Sequence, residues 1–162
     1  MLLKTQFQTL FAYNWHTTGR VVECAGRLDE AARQEQPGFG HGSIEDLLFH
    51  LLKTYRGWRL GVETGQQPPA LVREDYPDLE SLRDGLDREQ EGWRALLERL
   101  DEDQIAGDLH LTSSRGYQAD IPRWRILQHM VLHGMQHHTE LAQLLSRKGQ
   151  SPGDIDFIFY EG

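Results

Sequence analysis

The chain has almost no cysteine, no long apolar run and no cluster of basic residues. Its single cysteine, Cys24, excludes an intrachain disulfide and fits a reducing compartment, so a cytoplasmic location is expected. No stretch approaches the roughly 18 apolar residues of a membrane span, and residues 1–13 lack the apolar core and cleavage site of a signal peptide. Because the net charge is −8 without a Lys/Arg tract, nucleic acid is not expected as a partner.

What the chain does have is helical periodicity in four stretches. Apolar residues recur at spacings of three and four over about 3–28, 43–65, 79–100 and 123–149. Ser43 and Asp46 form a pair like a capping box at the start of the second stretch, and Gly65 ends it. One tryptophan per stretch predicts one aromatic anchor per helix in a shared core: Trp15, Trp58, Trp93 and Trp124. The length of 162 residues suits a single domain, 1–162.

The segments around these stretches complete the predicted fold. LHLT and GYQADI flank residues 113–115 and predict a short hairpin before the last helix. Gly85 and Gly92 are expected to weaken the third helix, each by ~1 kcal/mol relative to alanine. The apolar residues 157–160 are expected to lie extended over the bundle or in a subunit contact. The predicted fold is therefore all-α: an antiparallel four-helix bundle with long connections and a hairpin-like insertion.

Histidines lie within the apolar stripe of the fourth helix. At about 100° per residue, six side chains project within roughly one quadrant: Ile126, Met130, His133, His137, Leu141 and Leu144. A buried imidazole without a partner costs roughly 1–3 kcal/mol, and one metal ion satisfies two imidazoles at once. The pair is either His129 with His133 or His133 with His137, and the central position of His137 favours the second. His138 points away from this face and is expected to be solvated.

A metal ion needs at least a third ligand. His50 on the second helix is the candidate, because a neighbouring helix in a bundle can present it to the fourth helix. Three histidines leave one coordination position open on zinc, as in catalytic sites. Glu140, one turn beyond His137, is expected to orient a ligand from behind or to add a carboxylate.

Other polar residues carry weaker indications. Asn14 and His16 fall on or near the inner side of the first helix, as polar groups of the core or as the lining of a pocket. Cys24 is most simply a small apolar filler. His41 and His110 lie in loops, where nothing in the pattern indicates a function.

Four motifs follow one another along nearly the whole chain. YNW lies in the first helix, GSIEDLLFHLLKTYRGW forms the second, WRILQHMVLHGMQHHTELAQLL forms the fourth, and GQSPGDIDFIFY closes the chain. Together and in this order they resemble the DinB family of four-helix-bundle proteins, which is grouped with YfiT-like metal hydrolases. The resemblance implies a metal held by three histidines, which map to His50, His133 and His137. The family's usual HRxQ is replaced after the last ligand by residues 138–140, HTE, which leaves the three ligands untouched.

The resemblance also implies a range of functions. Family members are often homodimers, bind zinc, nickel or iron, and include transferases and isomerases that act with low-molecular-weight thiols. The leading hypothesis is therefore a metal-dependent enzyme whose open site activates a thiol or a water against a small-molecule substrate. The thiol ranks first on resemblance alone. The alternatives are a non-catalytic metal-binding stress protein and a metal-free dimeric helical scaffold.

Overall fold

A computed structural model describes residues 2–162 as four long helices, two short helices and a hairpin. The elements are α1 (Leu2–Gly26), α2 (Glu30–Gln34), α3 (Ile44–Thr64), α4 (Leu79–Arg99), α5 (Glu102–Ala106), β1 (Asp108–Thr112), β2 (Gln118–Pro122) and α6 (Arg123–Arg147). Single 3-10 turns occur at Arg73–Asp75 and Phe157–Phe159. The predicted all-α bundle with an inserted hairpin is confirmed, whereas α2 and α5 were not predicted. None of these helices combines the length and apolar character that crossing a bilayer requires.

The ends of α3 are set by local sequence. The Ser43 side chain accepts a hydrogen bond from the backbone nitrogen of Asp46 at 3.1 Å, and the Asp46 carboxylate accepts one from the backbone nitrogen of Ser43 at 2.9 Å. Gly65 ends the helix with a φ of 75°, a conformation that side-chain-bearing residues rarely adopt. The predicted capping pair and the predicted stop are both confirmed.

The four long helices form a ring in which α1 and α3 each pack against both α4 and α6. The direction of each pair follows from its side-chain contacts. On α3, His50 contacts His133 and Trp58 contacts His129, so the residue numbers rise on one helix as they fall on the other. The helices α3 and α6 are therefore antiparallel.

The helices α1 and α6 run in the same direction. Asn14 lies against Gly134, and one turn later Thr18 bonds His138, so the residue numbers rise together. This alignment brings the polar residues of α1 against the back of α6, one residue away from the predicted metal ligands.

The helices α3 and α4 also run in the same direction. Leu52 lies against Gly85, and two turns later Arg59 lies against Gly92. Since consecutive parallel helices need a connection along their whole length, residues 65–78 cross back over the bundle. The long helices therefore run up, down, down and up in chain order.

The tryptophans contribute unequally to the core. Trp93 is fully buried and its Nε1 donates to the carbonyl of Tyr55 at 3.1 Å, and Trp15 is also buried. Trp58 is half-buried at the edge of the core. Trp124 is 42% exposed, so the predicted aromatic anchor in the fourth helix is wrong. Trp124 is the second residue of α6, and it lies on the solvent side before the apolar stripe begins.

The hairpin and the tail pack at the periphery. β1 and β2 pair antiparallel, with Asp108 opposite Pro122 and Thr112 opposite Gln118, as the sequence predicts. The tail is not extended as expected, because residues 157–159 close a 3-10 turn through the bond from the Tyr160 nitrogen to the Phe157 carbonyl. The Phe157 ring lies 5.0 Å from the ring of Tyr13, which attaches the tail to α1.

Candidate metal centre

Two histidines of α6 face the same point between α3 and α6. His133 and His137 are one turn apart, and their Nε2 atoms lie 3.2 Å from each other. His137 is 1% exposed, whereas His133 is half-buried. The i, i+4 spacing on a helix is what brings the two rings together.

The third histidine of this group comes from α3. The Nε2 of His50 lies 3.2 Å from the Nε2 of His133, and the ring centroids of His50 and His137 are 4.6 Å apart. Ser43 and Asp46 cap α3 less than two turns before His50, so the backbone that carries this ring is well fixed. The antiparallel packing of α3 on α6 thus places three imidazoles around one centre.

Protons alone do not satisfy these contacts. A neutral ring nitrogen either donates one proton or accepts one, so the Nε2 of His133 makes one good hydrogen bond and not two. A cation that takes the lone pairs of all three Nε2 atoms satisfies them together. Ligands about 2.0–2.1 Å from a tetrahedral zinc ion lie about 3.3–3.4 Å from one another, close to the observed 3.2 Å separations. The residues present therefore fit a divalent metal ion.

The protonation of the cluster also suits a metal. Burial, followed by the charge of His137, lowers the pKa of His50 to about 4. Burial and the neighbouring histidines lower the pKa of His133 to about 3. Both imidazoles are therefore neutral at pH 7, and neutral nitrogen is the form that binds a metal.

Glu140 joins the cluster from its outer side. Its Oε2 lies 3.1 Å from Nδ1 of His137 and 3.3 Å from Nδ1 of His41. Burial raises the pKa of Glu140, but the hydrogen bond and the charge of His137, followed by those of His41, outweigh it and lower the pKa. An ionised carboxylate here favours the tautomer of His137 that carries its proton on Nδ1. The lone pair on Nε2 of His137 then faces the centre of the cluster.

His41 is the residue that sequence reasoning missed. Its ring centroid lies 4.9 Å from that of His50 and 4.7 Å from that of His137, and one ring nitrogen from each of these three histidines lies within 4.8 Å of the other two. Two overlapping groups of three histidines therefore share His50 and His137, one completed by His133 and the other by His41. The shorter Nε2 separations favour the group with His133. The only hint in the sequence is the glycine-rich PGFGHG just before the helix cap.

Other predicted residues lie elsewhere. Asn14 is buried and its Nδ2 donates to the hydroxyl of Tyr55 at 3.0 Å, so it is a polar group of the core rather than a neighbour of the cluster. His16 is exposed, stacks 5.4 Å from Tyr160 and lines a cavity of about 310 Å³ between α1 and the tail. No histidine of the cluster lines that cavity. His129 is exposed and its ring contacts Trp58.

The expectation for His138 is wrong. Its side chain is 0% exposed, and its Nε2 lies 2.9 Å from Oγ1 of Thr18. The sequence interpretation assumed one buried face on the fourth helix, but α6 packs against both α3 and α1. The second contact buries His138 against α1.

Comparisons with known proteins agree with this architecture. The model of the DinB family matches residues 1–162. The DinB-like protein YjoA from Bacillus subtilis is 18% identical, with a TM-score of 0.66 over 90% of this chain and 94% of that one. YfiT from Bacillus subtilis, described as a probable metal-dependent hydrolase with an unusual four-helix bundle topology, is 14% identical, with a TM-score of 0.69 over 91% and 90% of the two chains. No curated protein matches the chain.

Proposed function

Because this chain belongs to the DinB family, we propose that it is a divalent-metal-dependent enzyme of the hydrolase type. The proposed ligands are His50, His133 and His137. The observation that carries the proposal is the approach of the Nε2 of His133 to the other two Nε2 atoms at 3.2 Å each. Three buried or half-buried imidazoles that crowd around one point destabilise a core unless they find partners, and a metal ion supplies a partner for all three.

The bound ion would supply the Lewis acidity, and the residues of the chain would hold and orient its ligands. When bound, a divalent cation supplies Lewis-acid chemistry, polarising a carbonyl and making a water or a thiol acidic near neutral pH. The three histidines fill three positions and leave one open for a reactant. Glu140 holds the ring of His137 through Nδ1 and adds a negative charge behind it, which makes that nitrogen a better ligand. We assign Glu140 to this orienting role, since its Oε2 already accepts from two histidines.

Water is the favoured reactant at the open position. Support comes from YfiT, whose description names hydrolysis. The thiol route that ranked first on resemblance has no supporting contact among residues 2–162. We therefore propose hydrolysis of a small-molecule ester or amide, with zinc, nickel or iron as the metal. A single domain over 1–162, a homodimer and a cytoplasmic location are further parts of the proposal, and the mass of the native particle in solution tests the dimer.

Metal content tests the proposal directly. Untagged protein purified without added metal is expected to carry about one equivalent of zinc, nickel or iron by elemental analysis. The variant His137→Ala is expected to lose it, because only two of the three proposed ligands on the helices, His50 and His133, remain. The control His129→Ala removes an exposed histidine from the same helix and should keep the metal.

Three results would contradict the proposal. Equal loss of bound metal from the His137→Ala and His129→Ala variants would overturn the ligand assignment. Failure of the wild-type chain to bind any of the three metals, even on titration, would leave the metal-free scaffold. A metal-loaded protein that hydrolyses neither esters nor amides, but transfers an added low-molecular-weight thiol, would replace the hydrolase by the transferase.

A further inference from the structure

Three glycines with positive φ shape the loop that carries His41. Its glycines Gly38, Gly40 and Gly42 have φ values of 79°, 66° and 99°, in the region that favours glycine. A Cβ added at Gly38 or Gly40 would meet no atom of the described residues within 4 Å, so these two glycines serve the backbone conformation rather than a tight packing contact. Glycine thus alternates with Phe39 and His41 over residues 38–42, and His41 lies beside the cluster.

The same loop is tied to α6 at two points. The guanidinium of Arg147 lies 5.2 Å from the ring centroid of Phe39, and Nδ1 of His41 lies 3.3 Å from Oε2 of Glu140. Because Glu140 also binds Nδ1 of His137, one carboxylate oxygen orients two imidazoles in the same way. With Nδ1 engaged, each ring has its Nε2 left for another partner.

The distances bring His41 close to the metal position. Two ligands that bind one ion at about 2.1 Å lie at most about 4.2 Å apart. One ring nitrogen from each of His41, His50 and His137 lies within 4.8 Å of the other two, so a small inward movement of the loop suffices. The His41 side chain is 44% exposed, and it therefore lies on the side from which solvent and reactants reach the cluster.

We propose that His41 is an exchangeable fourth ligand, carried by the glycine loop, which closes the resting metal site and gives way to the substrate. The inference rests on the proposed metal site of His50, His133 and His137. Glu140 then orients two ligands, the permanent ligand His137 and the exchangeable ligand His41. An imidazole that occupies the fourth position at rest protects the ion from adventitious anions and still allows a reactant to enter by displacing it.

The test uses the full chain loaded with cobalt(II), whose visible absorption depends on the number and type of its ligands. The His41→Ala variant is expected to bind one equivalent but to show a visible spectrum different from that of the wild type, because water replaces one nitrogen. Azide should perturb the spectrum of His41→Ala at lower concentration than that of the wild type. The matched control is His110→Ala, which removes an exposed, carboxylate-paired histidine of the hairpin and should leave the spectrum unchanged.

The outcomes separate this inference from the proposed function. If wild type and His41→Ala bind cobalt stoichiometrically with identical spectra, His41 is not a ligand and the inference is wrong, although the three-histidine site stands. A His41→Ala variant that binds cobalt more weakly but with an unchanged spectrum would also overturn the inference. In that case His41 would only position Glu140 and would not bind the ion. If the wild type binds no cobalt, the proposed function fails and the inference fails with it.

Discussion

At the scale of single residues, the histidines of α6 differ in what faces them. His133 and His137 face α3 and other imidazoles, whereas His138 faces a hydroxyl of α1. The hydroxyl of Thr18 donates to the carbonyl of Asn14 at 3.0 Å, so its oxygen accepts the proton of the His138 Nε2. The Nδ1 of His138 then carries a lone pair, which is buried without a hydrogen-bond partner among residues 2–162. His138 is therefore a neutral structural histidine.

The metal-free protein is expected to lose stability in acid. Burial, followed by the charges of His137 and His133, lowers the pKa of His138 to about 3, while an unfolded histidine titrates near 6.5. As the pH falls from 6.5 toward 4, the unfolded chain binds a proton here that the folded chain does not, so stability falls with pH. The lowered pKa values of His133 and His50 also make the stability of the metal-free protein fall as the pH falls. Each histidine contributes a slope of up to about 1.4 kcal/mol per pH unit.

The variant His138→Leu isolates one of these contributions. It is expected to show a shallower dependence of the unfolding free energy on pH than the wild type, measured by urea denaturation with chelator at pH 7, 6 and 5. Because the slope is a difference between pH values, a uniform loss of stability in the variant does not affect it. Identical slopes in the two proteins would contradict the neutral, buried state of His138.

Sequence reasoning identified residues that share one helix face and missed residues that depend on another element. The alignment of His133 with His137 follows from helix geometry alone, and the structure brings His50 to them as the sequence suggested. The burial of His138 depends on α1, and the approach of His41 depends on the path of a loop. Neither leaves a periodic pattern in the sequence.

At the scale of elements, glycines mark where helices approach closely. A Cβ at Gly85 would lie 2.6 Å from Cδ2 of Leu52, and a Cβ at Gly92 would lie 2.5 Å from Nε of Arg59. Arg59 in turn binds the largely buried carboxylate of Glu89 at 2.7 Å. The predicted cost of these glycines in helix propensity is therefore offset by packing between α3 and α4 that a larger residue would prevent.

Gly134 has the same role beside the candidate metal centre. A Cβ there would lie 2.0 Å from Oδ1 of Asn14 and 2.8 Å from the hydroxyl of Tyr55. We expect Gly134→Ala to lower the free energy of unfolding by about 1–3 kcal/mol through overpacking, measured by urea denaturation.

The control is Gly19→Ala on α1, where an added Cβ meets no atom within 4 Å in the part of the chain that the structure describes. This substitution is expected to raise stability by up to about 1 kcal/mol, because alanine has the higher helix propensity. The two glycine-to-alanine substitutions should thus change the free energy of unfolding in opposite directions. A gain in stability from Gly134→Ala would show that α1 and α6 are further apart than described.

Elements with long periodic patterns were predicted well, and short ones were not. The four long helices begin and end within one or two residues of their predicted bounds. The helices α2 and α5 contain five residues each, too few for a periodic pattern to be recognised. They depend on capping instead, since Asp29 and Asp101 each accept a bond from a backbone nitrogen of the first turn.

At the scale of the whole molecule, the order of the helices explains why the site needs the complete fold. The proposed ligands lie on α3 and α6, which are separated in sequence by the parallel crossover, α4, α5 and the hairpin. His50 and His133 are 83 residues apart, so the unfolded chain does not hold them together. A metal that binds at this site therefore binds the folded chain in preference to the unfolded one.

Metal binding is accordingly expected to stabilise the entire chain. A ligand present at about 100 times its dissociation constant adds about 2.7 kcal/mol, which for a chain of this size raises Tm by about 5–10 °C. Differential scanning calorimetry of the wild type, with metal and with chelator, measures this shift. In His133→Ala, whose central imidazole is absent, the two conditions should give the same Tm. A chelator effect of equal size in wild type and variant would mean that the ion binds somewhere other than between α3 and α6.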